Sequence, residues 1–268
     1  MKAKMGKTAL ISGASRGMGE EFARQLAQQG WRVVLAARSE QRLSEVVCSL
    51  PERVGLPLPH LVLPADLTLA SERSLLQERL QENGIRIDLL INNAGSGDLG
   101  LFVDQPAEKL QQTVQLNIEA ATDLTRALLP SMIERGKGRI LITAGTGACI
   151  PVPGFVVYAA AESYLWSFGL ALREEVSSMG VRVSVLSPGI TKSSFFTEDE
   201  LHRLPWIVRQ TMMEPKEVVT AAIQGLRRNQ AEIVPGLLNK LNVCTGRHLP
   251  ISLRSKIAGW MLGHQPRK

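Results

Sequence analysis

Short apolar runs and longer amphipathic stretches alternate along the chain. "TALIS", "RVVLAA", "HLVLP", "IDLLIN", "GRILIT" and "VRVSVLS" are β-branched and apolar on both faces, as strands covered on both sides must be. Between them the spacing changes to that of a helix. "GEEFARQLAQQG" sets Phe22 and Leu26 four apart and stops at Gly30, and "SEQRLSEVVCSL" opens with Ser39 as an N-cap. "AEKLQQTVQLNIEAATDLTRALLPSMIERG" reads as one long helix, kinked or broken near Pro130. Strand–helix alternation of this kind predicts an α/β fold: one doubly wound parallel sheet with right-handed crossovers and helices on both faces. No linker, repeat or low-complexity stretch divides the chain. A single Rossmann-type domain over 1–236 is expected, with 237–268 a basic extension of it.

Charge sharpens this picture at the C-terminal end. The net charge of +6 comes from there: no acid follows Glu232, while Lys240, Arg247, Arg254, Lys256, Arg267 and Lys268 do, and the rest of the chain balances 25 against 25. Basicity confined to a tail argues against nucleic-acid binding by the whole domain. The uncharged stretch Ile140–Ala161 is long enough to raise a membrane span, but five Gly or Pro residues interrupt it. The apolar run after the N-terminal lysines is too short for a leader, so a cytoplasmic protein is expected. Cys48, Cys149 and Cys244 are scattered like reduced thiols, and the four His residues form no cluster, so no metal site is expected.

The first strand runs into "SGASRGMGEEF", placing Gly13, Gly17 and Gly19 between strand and helix. Such a turn brings backbone and a helix N-terminus up to a pyrophosphate. Further marks follow in order: "AD" at 65–66, "NNAG" at 92–95, "LN" at 116–117, "Y" at 158 and "SPG" at 187–189. Over residues 6 to 235 this set resembles the short-chain dehydrogenase/reductase family. The resemblance implies a nicotinamide dinucleotide held by Gly13, Ser15, Arg16, Gly17, Met18 and Gly19. It sets Asp66 and Leu67 beside the adenine, Asn93, Ala94 and Gly95 along the floor, and Pro188, Gly189 and Ile190 at the nicotinamide. Arg38 ends the second strand, where relatives preferring NAD often carry an acid. With Arg16 it offers two planar forks suited to a 2′-phosphate, so NADP(H) is the expected cofactor.

The family's chemistry uses Ser, Tyr, Lys and Asn, and the resemblance assigns Tyr158 and Asn117 to two of those roles. At the other two positions the chain has Gly145 for Ser and Glu162 for Lys. A cation about 5 Å from a phenol, at an effective dielectric near 20, is worth roughly 3 kcal/mol, or about two pKa units downward. A carboxylate in its place acts upward. Oxidation, which needs the phenolate, suffers most; reduction needs only a protonated Tyr158. Thr143 and Thr146 are candidate substitutes for the lost hydroxyl.

Three readings remain open. The first is an oxidoreductase reducing a hydrophobic carbonyl compound through Tyr158. The second is an NADP(H)-binding protein without turnover, acting as a regulatory or structural partner. The third is a non-redox catalyst of elimination, cyclisation or isomerisation. The segment 190–214 matches the part that covers the substrate in the resembling family, and Phe195, Phe196 and Trp206 are the expected substrate contacts. The resemblance also implies a homodimer or homotetramer paired through helices around 106–129 and 158–179. In the tail, "LPISLRSKIAGWML" predicts a helix after Pro250 with Leu253, Ile257, Trp260 and Met261 on one side and Arg254 and Lys256 at the other or its margin. This composition is suited either to peripheral membrane contact or to a tail folded back over the substrate lid or a dimer mate with its charges solvated.

Overall fold

The computed structural model describes residues 6–51, 58–193 and 195–261. In chain order the elements are β1 (Thr8–Ser12), α1 (Gly17–Gln28), β2 (Arg32–Ala37), α2 (Glu40–Ser49), β3 (Leu61–Pro64), α3 (Ala70–Glu82), β4 (Leu89–Asn92), α4 (Ala107–Val114), α5 (Ala120–Glu134), β5 (Gly138–Thr143), α6 (Val156–Val176), β6 (Val181–Leu186), α7 (Glu198–Arg203), α8 (Trp206–Gln210), α9 (Pro215–Arg227), β7 (Glu232–Ile233), α10 (Leu237–His248) and α11 (Ile251–Met261). The strands form one seven-stranded sheet in the order β3-β2-β1-β4-β5-β6-β7. Every pairing is parallel.

Alternation along each strand divides the core into two layers. Leu10, Val34, Leu90, Ile140 and Val183 face α3, α5 and α6, where Leu76, Leu80, Leu124, Leu165 and Leu172 cover them. Their neighbours Ala9, Ile11, Val33, Leu35 and Ile91 face the other way, under Phe22, Leu26, Leu43, Val218 and Val219 of α1, α2 and α9. Strand order reverses between β1 and β4, so the carboxyl ends of these two strands open a crevice, the usual ligand position in such sheets.

The six expected strands are present, and Ser39 caps α2 by accepting from the Arg42 amide at 3.4 Å. Two details differ. β7 was not anticipated, because two residues carry no alternation to read. The helix through Pro130 does not break there; α5 continues to Glu134. Pro130 and Arg126 are exposed, so the Arg126 carbonyl that loses its partner faces water. The irregularity lies earlier, as a π-helical turn Gln115–Glu119 joining α4 to α5.

Candidate active site

The crevice at β1 and β4 is built mostly of backbone. Gly13 and Gly17 take φ of 67° and 60°, open to glycine at little cost. A Cβ on Gly13 would lie 2.8 Å from the Ala94 Cα, and one on Gly19 would strike the Gly13 carbonyl. α1 starts without a side-chain cap, so its first N–H groups are open to an anion. The Ser12 hydroxyl accepts from the amides of Asn93 and Ala94 at 3.0 Å each, pinning β4's end to β1's. Asn93 donates to the Ser12 carbonyl at 3.2 Å, while its own Oδ1 is buried with no partner among the described residues. Arg16 and Arg38 are exposed. Asp66 accepts from Thr68 Oγ1 at 2.7 Å, and Leu67 is buried in the core. A glycine cradle, an open helix start and an orphaned buried acceptor fit a dinucleotide phosphate and its ribose.

The candidate reactive centre lies on α6. Tyr158 is half-buried and Glu162, one turn on, is buried. Glu162 Oε2 accepts from the Gly145 amide, and its carboxyl shares a hydrogen bond with the Tyr158 hydroxyl. Burial raises the Glu162 carboxyl to about 7, although bonds from Gly145 and Tyr158 pull against that rise. Burial, then the adjacent Glu162 charge and hydrogen bond, push the Tyr158 hydroxyl well above the ordinary tyrosine range. Tyr158 is therefore a proton carrier at neutral pH, and Glu162 sits where it can be either acid or base. A Cβ at Gly145 would come 3.2 Å from Glu162 Oε2 and 3.8 Å from the Tyr158 hydroxyl, so a side chain there would enter this pair directly. Asn117 lies in the π-helical turn, with its amide accepting from the Ser96 N–H at 2.9 Å and donating to the Ser96 carbonyl at 3.0 Å.

A cavity of about 410 Å³ joins the two regions. Met18, Asn93, Ala94, Gly95, Pro188, Gly189 and Ile190 line one part, with Gly145, Tyr158 and Glu162 beside them. The remainder is mostly apolar, with Ile150, Val152, Phe155, Phe195 and Phe196. Phe155 stacks on Tyr158 with ring centroids 4.3 Å apart, and Phe195 tilts against the same ring at 5.3 Å. Thr143 and Thr146 also face the cavity, and the Thr143 hydroxyl is buried with no partner among the described residues.

Trp206 does not behave as expected. It is 70% exposed and does not line the cavity. Pro205 is the N-cap of α8, whose inward residue is Val208; two positions earlier is about 200° away, so Trp206 points outward. The tail, whose folding back over the lid was one expected arrangement, lines the cavity through residues not singled out as substrate contacts: Val243 of α10, Leu249 between the helices, and Ala258 and Met261 of α11. Gly97 was also missed. A Cβ there would come 2.6 Å from Tyr158 Cδ2, so bare backbone fills the space beside the ring.

Comparison with known proteins agrees with this geometry. Residues 7–203 match the family described as short chain dehydrogenase. A ketoacyl reductase, HetN of Nostoc sp., is 33% identical over 95% of this chain and 89% of its own length. The mouse inactive hydroxysteroid dehydrogenase-like protein 1 is 32% identical over 75% of this chain and 61% of its own length. A solved short-chain dehydrogenase from Sphingobium yanoikuyae in complex with NADPH superposes with a TM-score of 0.79 at 31% identity, over 90% of this chain and 92% of that one. The chain belongs to the short-chain dehydrogenase/reductase family, oxidoreductases on a fold that binds a nicotinamide dinucleotide.

Proposed function

We propose that the protein is an NADP(H)-dependent reductase of a hydrophobic carbonyl compound, with Tyr158 and Glu162 together supplying the proton. The observation that carries this reading is the single cavity in which Tyr158 stands between the dinucleotide crevice and an apolar wall. Exposed Arg16 and Arg38, whose guanidinium groups make no hydrogen bond or ion pair to other described residues, favour a 2′-phosphate and hence NADPH over NADH. NADPH supplies hydride to the carbonyl carbon when bound. Tyr158 gives its proton to the carbonyl oxygen, but a phenolate beside a carboxylate would be strongly disfavoured. Protonated Glu162 relieves this by passing its proton to Tyr158 along their hydrogen bond. The step ends with alcohol, neutral tyrosine and carboxylate, and Glu162 then recovers a proton from water. Thr143, whose hydroxyl is buried and unpartnered, is the residue suited to orienting the carbonyl in place of the absent serine.

A second reading, binding without turnover, draws support from the Tyr158 hydroxyl being tied to Glu162 and from a relative that carries the word inactive in its name. NADPH consumption against a panel of aldehydes and ketones, measured from pH 5.5 to 9, separates the two. The reductase reading expects turnover that falls as pH rises through about 7, where Glu162 loses its proton, and that is lost in Tyr158→Phe. NADPH binding with no turnover, unchanged by Tyr158→Phe, would overturn it in favour of the second.

A further inference from the structure

The last two helices turn their apolar sides the wrong way for a surface helix. On α11, Leu253, Ile257 and Trp260 share one side at i, i+4 and i+7, and that side faces solvent, with Trp260 59% exposed. Exposed Lys256 lies among them. The opposite side is the packed one. Gly259 is buried, close enough to Pro153 that a Cβ would lie 3.3 Å from its ring, and Ala258 packs against Val152 and Phe155. Met261 belongs to this inner side and lines the cavity, as does Arg254, which corrects the expectation that Met261 shares the outer side. α10 repeats the arrangement: Leu237 is 73% exposed, with Leu238 exposed beside it, while Asn239 and Val243 are buried. Aromatic and aliphatic side chains gathered outward on consecutive helices mark an interaction surface rather than scattered exposure.

Charge selects the partner. No acid follows Glu232, so α10 and α11 carry cations and no acid of their own. A second copy across a two-fold axis would face the cations of α10 and α11 with the same cations. A cationic margin around exposed Trp, Leu and Ile is the composition of an element that lies in the headgroup layer of anionic lipid. No helix among the described residues is long and apolar enough to cross a membrane, so the contact is peripheral.

We propose that α10 and α11 dock on an anionic lipid surface and set the cavity mouth against it, so that apolar substrate enters from the bilayer rather than from water. The inner sides of the same helices supply Val243, Ala258 and Met261 to the cavity wall, and Ile257 at the edge of the outer side also reaches it, which connects the docking surface to the site. The route of entry rests on reading the cavity as a site for apolar carbonyl compounds; the docking does not.

Sedimentation of the full chain with phosphatidylcholine vesicles, with and without phosphatidylserine, tests the docking. Binding to the phosphatidylserine vesicles should be at least about tenfold stronger and should weaken as salt rises. Leu253→Gln/Trp260→Gln should lose about tenfold on those vesicles, and Lys240→Glu/Lys256→Glu should lose the preference for anionic lipid. These residues are exposed, so NADPH binding serves as the check that both variants remain folded. No sedimentation of the wild-type chain, or equal sedimentation of all three proteins, would overturn the proposal. So would a fall in solution mass of Leu253→Gln/Trp260→Gln without any change on vesicles, which would make this face a contact between copies. Turnover of a water-soluble ketone without vesicles reads the reductase activity separately, so either proposal can fail while the other stands.

Discussion

The two halves of the cavity are built from different materials. The dinucleotide half is backbone: left-handed glycines, an uncapped helix start and a strand end pinned by Ser12. The reactive half is side chains in a shared proton network: Tyr158, Glu162 and the Gly145 amide. Backbone geometry tolerates few residue types, so the first half is nearly fixed in kind by its glycines. A side-chain network can change its chemistry while the fold stays as it is: at position 162 an ionised carboxyl acts upward on the pKa of the phenol, where an amine would act downward.

The backbone half should be the more easily destroyed. Gly13→Val places a branched side chain at φ 67° and against Ala94. NADPH affinity, read by fluorescence titration, should fall by at least about 100-fold. An unchanged affinity would mean that the pyrophosphate does not sit at this turn.

The reactive half should instead reveal itself through pH. The Glu162 carboxyl rises from 4.5 to about 7 on folding, so the folded state holds a proton that the unfolded state has released between those values. Stability from this group is therefore highest below about pH 4.5 and is lost as pH climbs through 7, a change on the order of 3 kcal/mol. Urea unfolding at pH 5 and pH 8 should show that loss in the wild type and a smaller one in Glu162→Gln. Equal losses in the two proteins would contradict a buried, neutral Glu162.

The third test tries to convert the side-chain half back to the family's pattern. Gly145→Ser alone brings its Cβ 3.2 Å from Glu162 Oε2, so the double variant with Glu162→Lys is the cleaner one. Its amine lowers the Tyr158 pKa and the serine supplies an orienting hydroxyl; NADPH-linked carbonyl reduction should rise by about tenfold or more. A variant that binds NADPH and gains nothing on any substrate would mean that the apolar wall, too, has diverged.

The sequence was legible where the chain has few choices. Gly13, Gly17 and Gly19 announced their turn because few residues but glycine tolerate it, and six strands announced themselves by apolar runs covered on both faces. It was less legible where function depends on phase or on distant segments. Phe195 and Phe196 do line the cavity, but Trp206 points away because α8 begins at it, a rotation that composition does not encode. A tail folded back over the lid was one expected arrangement, but which of its residues reach the cavity, Val243, Leu249 and Met261 among them, depends on helix phase. Identity at positions 145 and 162 was plain, yet the bond from the Gly145 amide to Glu162, which holds the pair together, needed the structure.

Gly97 gives this arrangement a mechanical side. It lies two residues beyond Gly95 of the cavity wall, in a place where a Cβ would strike Tyr158 and Phe155. Any side chain at position 97 would push into the Tyr158 and Phe155 rings, so the loop after β4 can pass this close to Tyr158 only as glycine.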